Sequence, residues 1–249
     1  ISRHSRIDII PHFTLRDMEQ IRELPLYSQQ GMNSFKVYMC GVKGLYPHQE
    51  DGFILKAMET LRTLPADPVL CIHAENTSIV DYATEDMESQ AIADLSTWGK
   101  THPNIAEGEA VTRSAYFSQQ TGVRVYVVHS SCKESMDVLR KAKHARLYAE
   151  TTSPYLALDT SCDVGVYGKM LPPFREAESR LALWQGIREG LIDTIGTDNV
   201  TLTSAEKKAA QGMETADPGY PALATHLPSI LEEGFFRQEI PLEKLIPLM

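Results

Sequence analysis

The nine residues VRVYVVHSS, at positions 123–131, decide the fold class of this chain. Valine and tyrosine favour extended backbone, and they dominate the run up to a histidine that is followed by two serines. The stretch therefore predicts a buried strand that ends at His129. In a barrel of alternating strands and helices, the C-terminal ends of the strands converge on one pocket, so a histidine at this point is a candidate functional residue.

Three other apolar, β-rich runs end in a similar way. They are SFKVYM at 34–39, VLCIHAEN at 69–76 and IGTDN at 195–199, which carry Lys36, His73 and Asp198. Residues at successive strand ends meet in space even when they lie far apart in sequence. We therefore expect these three side chains and His129 to form one site.

Strand and helix patterns alternate along almost the whole chain, with no internal linker. Strands are predicted over 7–13, 35–39, 69–73, 123–129, 145–151 and 191–196, and helices over 14–29, 51–64, 107–120, 133–143 and 179–189. A long polar connection is expected before the third of these helices. This succession of β–α units implies a parallel sheet, either doubly wound or closed into a barrel. No glycine-rich phosphate loop follows any predicted strand, which leaves a nucleotide-binding fold without support.

Composition and charge narrow the function classes. The 249 residues are 43% hydrophobic and 23% charged, which suits one large enzyme domain. A formal net charge of −9 argues against a nucleic-acid or anionic-membrane surface, and no apolar run approaches the roughly 20 residues of a membrane span. The four scattered cysteines indicate reduced thiols, so we expect a cytoplasmic protein.

The four strand-end side chains suit a metal site. Neutral imidazoles bind zinc and similar ions, and carboxylate oxygens complete such sites. An ammonium group cannot bind a metal, but carbon dioxide would convert Lys36 to a carbamate whose two oxygens can bridge two ions. Two such metals would lower the pKa of a shared water and polarise a substrate carbonyl. Asp198 could then carry a proton to a leaving nitrogen.

Each of these residues also has a simpler interpretation. Taken alone, His73 and His129 are typical of hydrogen-bonded pocket histidines. Lys36 alone would be an ion-pairing or snorkelling lysine, and Asp198 alone a turn or helix cap. Their joint placement at strand ends, in this order, favours the metal site. Five histidines in polar loops or on helices are expected at the surface: His4, His48, His102, His144 and His226.

Taken together, these segments resemble the cyclic amidohydrolases, the family of hydantoinase, dihydropyrimidinase, allantoinase and dihydroorotase. The match runs along nearly the whole chain, in the family's order. It rests on SFKVYM at 34–39, HAEN at 73–76, VHSS at 128–131, ETTSPYL at 150–156, KMLPPFR at 169–175, TD at 197–198, and PGYP at 218–221 with LP at 227–228. Any one of these matches is weak, but seven in the right order make the assignment specific.

The resemblance implies an α/β fold of the TIM-barrel type, a metal-dependent (β/α)8 hydrolase barrel. Residues 1–249 would form a single partial barrel domain containing strands three to eight. Two divalent metal ions, with zinc as the default, would be bridged by a carboxylated Lys36 and bound by His73, His129 and Asp198. A hydroxide bridging the metals would attack a cyclic amide or imide, and Asp198 would act as general acid and base while the C–N bond opens.

The resemblance also implies residues that bind the substrate. Leu171, Pro218 and Gly219 would contact a small hydantoin-like or dihydropyrimidine-like ring, in part through backbone atoms. The protein would be a homo-oligomer, a tetramer by analogy with the family, and neither nucleic acid nor a membrane is expected as a partner.

The sequence departs from the family at two important points. The family's first strand ends in His-x-His, which supplies two metal ligands, and no His-x-His occurs in these 249 residues. We therefore expect strands one and two, and both segments of the family's β-sandwich, to lie outside this sequence. Gly41 stands where hydantoinases usually carry a tyrosine that polarises the oxyanion, and Tyr46 or Tyr38 is a candidate substitute.

Two alternative functions stay open. One is a non-catalytic assembly or scaffold protein on the same fold, although such relatives typically lose metal ligands and this chain keeps four. The other is a hydrolase of a lactam or an acyclic amide, which the glycine at position 41 suggests.

Overall fold

Six parallel strands form one sheet in the order in which they occur along the chain. The computed structural model describes residues 8–87, 90–142 and 145–249. The strands are β1 (Phe13–Thr14), β2 (Ser34–Tyr38), β3 (Val69–His73), β4 (Arg124–Val127), β5 (Leu147–Thr152) and β6 (Thr194–Gly196). Each strand pairs in parallel with the next, for example through Lys36 with Cys71 and Tyr38 with His73. The predicted α/β class and parallel sheet are confirmed.

Helices connect the strands, as a parallel sheet requires. They are α1 (Met18–Gln29), α2 (Asp51–Leu61), α3 (Thr77–Met87), α4 (Leu95–Thr101), α5 (Asn104–Thr121), α6 (Lys133–Lys141), α7 (Ser153–Ala157), α8 (Ala177–Glu189), α9 (His226–Ile230) and α10 (Leu242–Leu245). A π-helix, Leu231–Arg237, follows α9. Among the described residues, no helix combines the length and apolar composition needed to cross a membrane.

The predicted polar connection after β3 is wrong, because α3 and α4 lie there. Only Val80 and Met87 are buried in α3, so the segment lacks the apolar stripe that reveals an amphipathic helix in a sequence. The carboxylate of Asp94 caps α4 by accepting a hydrogen bond from the N–H of Thr97, in a capping box. Local capping rather than hydrophobic periodicity marks this helix.

Other predicted boundaries shift by a few residues. The first strand is predicted over 7–13 but contains only Phe13–Thr14, and the last begins at Thr194 rather than 191. Pro11 lacks the N–H that a strand ladder uses, which helps to explain the late start of β1. Residue 7 and residue 143, at the ends of two predicted elements, lie outside the described residues.

The two faces of the sheet differ in polarity, and this difference places the site. Phe35, Val37, Leu70 and Ile72 are fully buried in an apolar core that also contains residues of α1, α2 and α5. Side chains alternate between faces along a strand, so Lys36 and its same-face neighbours point the other way. A second apolar cluster surrounds Trp184 and joins α7, α8 and the C-terminal helices. The face of the sheet that carries Lys36 and His73 is therefore backed by an apolar core on the opposite face.

Candidate active site

Two buried histidines meet at the C-terminal end of the sheet. His73 is the last residue of β3 and His129 lies two residues beyond β4. Their side chains face each other, with His73 Nδ1 3.0 Å from His129 Nε2, and both residues are almost completely buried. The structure thus brings together the two histidines that the sequence singles out.

A buried carboxylate fixes the orientation of His73. Glu75 accepts a hydrogen bond from His73 Nε2 at 3.1 Å, which leaves the Nδ1 lone pair facing His129. Burial opposes the ionisation of Glu75, but His102 and His73 outweigh it and hold the pKa of this carboxyl well below its usual range. A carboxylate that holds the second ring nitrogen is the arrangement commonly found behind metal-bound histidines.

Lys36 and Asp198 are near enough to the histidine pair for their charges to interact with it, and we call these four residues the strand-end centre. Burial raises the pKa of Asp198, and the nearby Lys36 and His73 partly offset that rise. Burial and the proximity of His73 and Lys36 hold the pKa of His129 well below its usual range, so its imidazole is neutral. A neutral imidazole is the form that binds a metal.

His129 and Asp198 share the same unusual backbone conformation. Each lies two residues past the end of its strand, in the left-handed region, with φ of 43° and 45° respectively. Backbone of this kind costs about 1–3 kcal/mol for a residue other than glycine, and it persists where surrounding structure imposes it. In this conformation the His129 side chain faces His73, and the Asp198 carboxyl is near the charges of Lys36 and His73.

The donor set fits a metal ion only in part. Within residues 8–87, 90–142 and 145–249, no three His, Cys, Asp or Glu side chains are grouped so that they could hold a metal alone. The facing nitrogens of His73 and His129 are nonetheless close to the separation of about 3.3 Å expected for two ligands of one tetrahedral zinc ion. The spacing of His73 and His129 therefore suits two positions of one metal ion, whereas the carboxyl of Asp198 is not grouped with them closely enough to form a three-residue set.

A buried charged network backs the strand-end centre. His102 Nδ1 lies 3.3 Å from Glu75, and the guanidinium of Arg175 reaches both Glu75 and Glu107. Arg175 Nε also donates to Ser131 Oγ at 2.9 Å. The network connects the loops after β3 and β4 to α5, so the positions of the two histidines depend on several elements.

The prediction that His102 lies at the surface is wrong. This residue is 7% exposed, because α4 and the loop after it pack against the strand ends. His48 is largely exposed, as predicted. His226 is half-buried and bonded to Ser153, and His4 and His144 lie outside the described residues. Glu75, within the HAEN segment, is the additional site residue that the sequence could have indicated.

A cleft of about 1060 Å³ is lined in part by His102, but by none of the four residues of the strand-end centre. Its lining includes Gly41, Tyr46, Trp98, His102, Leu171 and Pro218. His102 links the cleft wall to His73 through Glu75. The cleft is large enough for a small-molecule ligand, since such pockets commonly have volumes of about 300–1,000 Å³.

The three predicted substrate-binding residues fall in two different places. Leu171 and Pro218 line the cleft. Gly219 is buried, and its N–H donates to the carbonyl of Lys169 at 2.9 Å. This N–H is therefore engaged within the protein, which leaves Leu171 and Pro218 as the better placed of the three.

The glycine at position 41 is imposed by the loop around it. A Cβ at Gly41 would lie 2.7 Å from both the backbone nitrogen of His48 and the carbonyl oxygen of Tyr46. A larger side chain does not fit there without movement of the loop. Tyr38 and Tyr46 stack with ring centroids 4.5 Å apart, and the Tyr38 ring lies 5.4 Å from that of His73. Tyr38 is thus the tyrosine nearer to the histidine pair, and Tyr46 lines the cleft.

Solved hydantoinase structures share this fold. The D-hydantoinase from Bacillus sp. AR9 superposes with a TM-score of 0.85 at 26% identity, over 95% of this chain and 53% of that protein. The fold is therefore part of the TIM-type amidohydrolase barrel, as predicted. No protein-family model matches the sequence.

Relatives of known activity narrow the class further. The D-hydantoinase of Geobacillus stearothermophilus is 28% identical over 239 residues, which are 92% of this chain and 50% of the relative. The dihydroorotase of Bacillus caldolyticus is 30% identical over 239 residues, 92% of this chain and 52% of the relative. The chain is thus a homologue of the hydantoinases and dihydroorotases among the cyclic amidohydrolases, and it spans about half the length of these relatives.

Proposed function

We propose that this chain carries the active site of a metal-dependent hydrolase that opens the C–N bond of a cyclic amide or imide. The observation that supports this most directly is the pair of buried imidazole nitrogens, His73 Nδ1 and His129 Nε2, which face each other at 3.0 Å. Similarity to hydantoinases and dihydroorotases supports the same class of reaction.

His73, His129 and Asp198 would hold metal in this proposal, and a carboxylated Lys36 would bridge two divalent ions, with zinc as the default. The metals would lower the pKa of a water molecule and polarise the substrate carbonyl. Glu75 would keep His73 Nδ1 free of a proton by accepting the hydrogen bond from Nε2.

Asp198 would move the proton. Water adds its oxygen to the carbonyl carbon, the ring C–N bond breaks, and the proton released by the water passes through Asp198 to the leaving nitrogen. The products are an open chain with a carboxyl group and a protonated nitrogen, so atoms and charge balance. A carboxylate such as that of Asp198 can accept the proton of the water and deliver it to the leaving nitrogen.

The cleft would hold the ring, with Leu171 and Pro218 in its wall. With glycine at position 41, no side chain from that residue is available to contact an oxyanion. Tyr38 is the candidate for this contact, because its ring lies beside that of His73.

A substrate panel with the intact protein tests the proposal. The metal-free protein is reloaded with Zn²⁺ and assayed for ring opening of hydantoin, dihydrouracil, dihydroorotate and allantoin, with a lactam and an acyclic amide as further arms. We expect metal-dependent turnover of at least one ring substrate. Turnover of only the acyclic amide or the lactam would show that the substrate is not a hydantoin-like or dihydropyrimidine-like ring. Full metal binding with no turnover of any substrate would favour the non-catalytic scaffold.

A further inference from the structure

Two buried lysines hold the loop that forms one wall of the cleft. We call residues 213–219 the cleft loop; Glu214, Asp217 and Pro218 within it line the cleft. Lys169 and Lys207 are each only 3% exposed, whereas lysine is rarely buried to this degree without a charged partner. Among the residues that the structure describes, no carboxylate oxygen lies within 4.0 Å of either ammonium, and Asp217 and Glu214 act on these charges only from a greater distance.

Backbone carbonyls take the place of a carboxylate. Lys207 Nζ donates to the carbonyls of Gly219 at 2.8 Å, Lys169 at 3.0 Å and Asp217 at 3.1 Å. All three N–H donors of this ammonium are therefore used within the protein, and two of the three carbonyl acceptors, those of Asp217 and Gly219, belong to the cleft loop. A buried charge satisfied in this way fixes its acceptors, since each would otherwise lose a hydrogen bond away from water.

Lys169 holds the other end of the same loop. Its Nζ donates to the carbonyls of Met213 at 2.7 Å and Glu214 at 3.0 Å, and it lies 4.1 Å from the centroid of the Trp98 ring. Trp98 in turn donates through Nε1 to the carbonyl of Met170 at 3.0 Å. The cleft loop is thereby tied to α4 and to the segment that carries Leu171.

We propose that Lys169 and Lys207 are positioning residues that set the shape of the substrate-binding wall by fixing the cleft loop. Neither lysine belongs to the strand-end centre, so they act on substrate binding and leave the metal site unchanged. Lys169 itself also lines the cleft, whereas Lys207 does not, so Lys207 is the residue that acts through the loop alone. The part of this inference that concerns catalysis rests on the proposed hydrolase function, whereas the part that concerns the loop stands without it. Burial lowers the pKa of both ammonium groups to about 8, which agrees with their enclosed positions.

Amide hydrogen exchange on the intact protein tests the loop directly. We expect Lys207→Met to accelerate exchange across residues 213–219 about tenfold or more, because three carbonyls lose their donor. Lys208→Met is the matched control: Lys208 is exposed and pairs with Asp217 at the surface, so we expect a change of about twofold at most. Equal acceleration in both variants, or none in Lys207→Met, would overturn the anchoring role.

Two further variants keep the test decisive if Lys207→Met fails to fold. Lys169→Met removes only two hydrogen bonds and is expected to loosen residues 213–216 first. Lys207→Arg keeps the charge and several donors, and we expect its exchange across residues 213–219 to stay closer to that of the wild type than the exchange of Lys169→Met does. No loosening in Lys169→Met, or loosening in Lys207→Arg as large as in Lys169→Met, would overturn the anchoring role.

Kinetics separate this inference from the proposed function. If the wild-type protein turns over a cyclic amide, Lys207→Met, which removes no side chain from the cleft lining, should raise KM about tenfold or more while kcat stays within about threefold and metal content is unchanged. A loosened loop with an unaltered KM would refute the link to substrate binding. A loosened loop in a protein whose wild type turns over no amide would refute the hydrolase proposal and leave the anchoring role standing.

Discussion

The strand-end centre and the cleft loop are held in place by different means. His73 ends a strand that is paired on both sides. The backbone on either side of His129 is bonded to the neighbouring strands, through the N–H of Val128 to the carbonyl of Ile72 and the N–H of Ser130 to the carbonyl of Glu150. The cleft loop follows β6 through a segment without strands or α-helices, and two lysine side chains supply much of its anchoring. The strand-end centre therefore rests on paired backbone and a buried charged network, whereas the cleft loop depends on a few side-chain contacts.

The largest effect is expected from Lys36→Ala in the intact protein. If a carboxylated Lys36 bridges the metals, the variant should lose metal and activity together, and short carboxylic acids should restore part of both by supplying the missing oxygens. Metal analysis and turnover are measured with Lys56→Ala, an exposed lysine of α2, as the control. Full metal occupancy in Lys36→Ala would remove the bridging role.

Asp198→Asn should separate chemistry from binding. The amide keeps the size of the carboxyl group but cannot carry the proton, so we expect turnover to fall by about 10²–10⁴-fold with metal content nearly unchanged. Steady-state kinetics and metal analysis are compared with Asp137→Asn, which alters an exposed carboxylate. Near-normal turnover would exclude Asp198 from the mechanism.

Glu75→Gln should have a smaller effect, and we expect it mainly in the affinity for the metal. The amide no longer favours the tautomer that frees His73 Nδ1, so we expect metal affinity to fall by about 10–100-fold. Competition with a chelator measures the affinity, and Glu178→Gln, at an exposed ion pair, is the control. An unchanged affinity would mean that Glu75 supports the fold rather than the metal ligand.

Gly41→Ala should give the smallest change, and in stability rather than chemistry. The added Cβ meets backbone atoms at 2.7 Å, and we expect the free energy of unfolding to fall by about 1–3 kcal/mol. Urea denaturation compares it with Gly52→Ala, a helical position with open space, where alanine should stabilise by about 0.5–1 kcal/mol. Equal stability of Gly41→Ala and the wild type would show that the loop adapts and could accept a tyrosine.

The histidine pair could be predicted from the sequence better than the cleft wall, and the reason is physical. A strand that ends in a polar residue is visible as a local pattern, which singles out Lys36, His73, His129 and Asp198 as candidates, and the structure brings His73 and His129 into contact. His102 and Lys169 depend on contacts with residues far along the chain, namely Glu75 and the cleft loop. No local period encodes such contacts, so His102 was placed at the surface and the role of Lys207 was not foreseen.

The helices and strands also differed in how well the sequence predicted them. β3, α5 and α8 were predicted to within a few residues because apolar runs mark the strand, and Gly122 and Gly190, in left-handed conformation at the helix ends, mark the helices. The helices α3 and α4 were missed because few of their residues are apolar and buried. Helix formation there depends on tertiary packing and capping, which a scan for hydrophobic periodicity does not detect.

The left-handed turns at His129 and Asp198 also limit which residues can replace them. Asparagine, aspartate, histidine and glycine adopt this backbone more readily than other residues, and β-branched residues resist it. Random mutagenesis at either position should therefore return folded proteins mainly with those four residues, whatever selection is applied for activity. The backbone conformation limits which substitutions allow folding, independently of any effect on activity. A folded protein with asparagine at position 198 would therefore show that this residue is compatible with the backbone, and not that it retains catalysis.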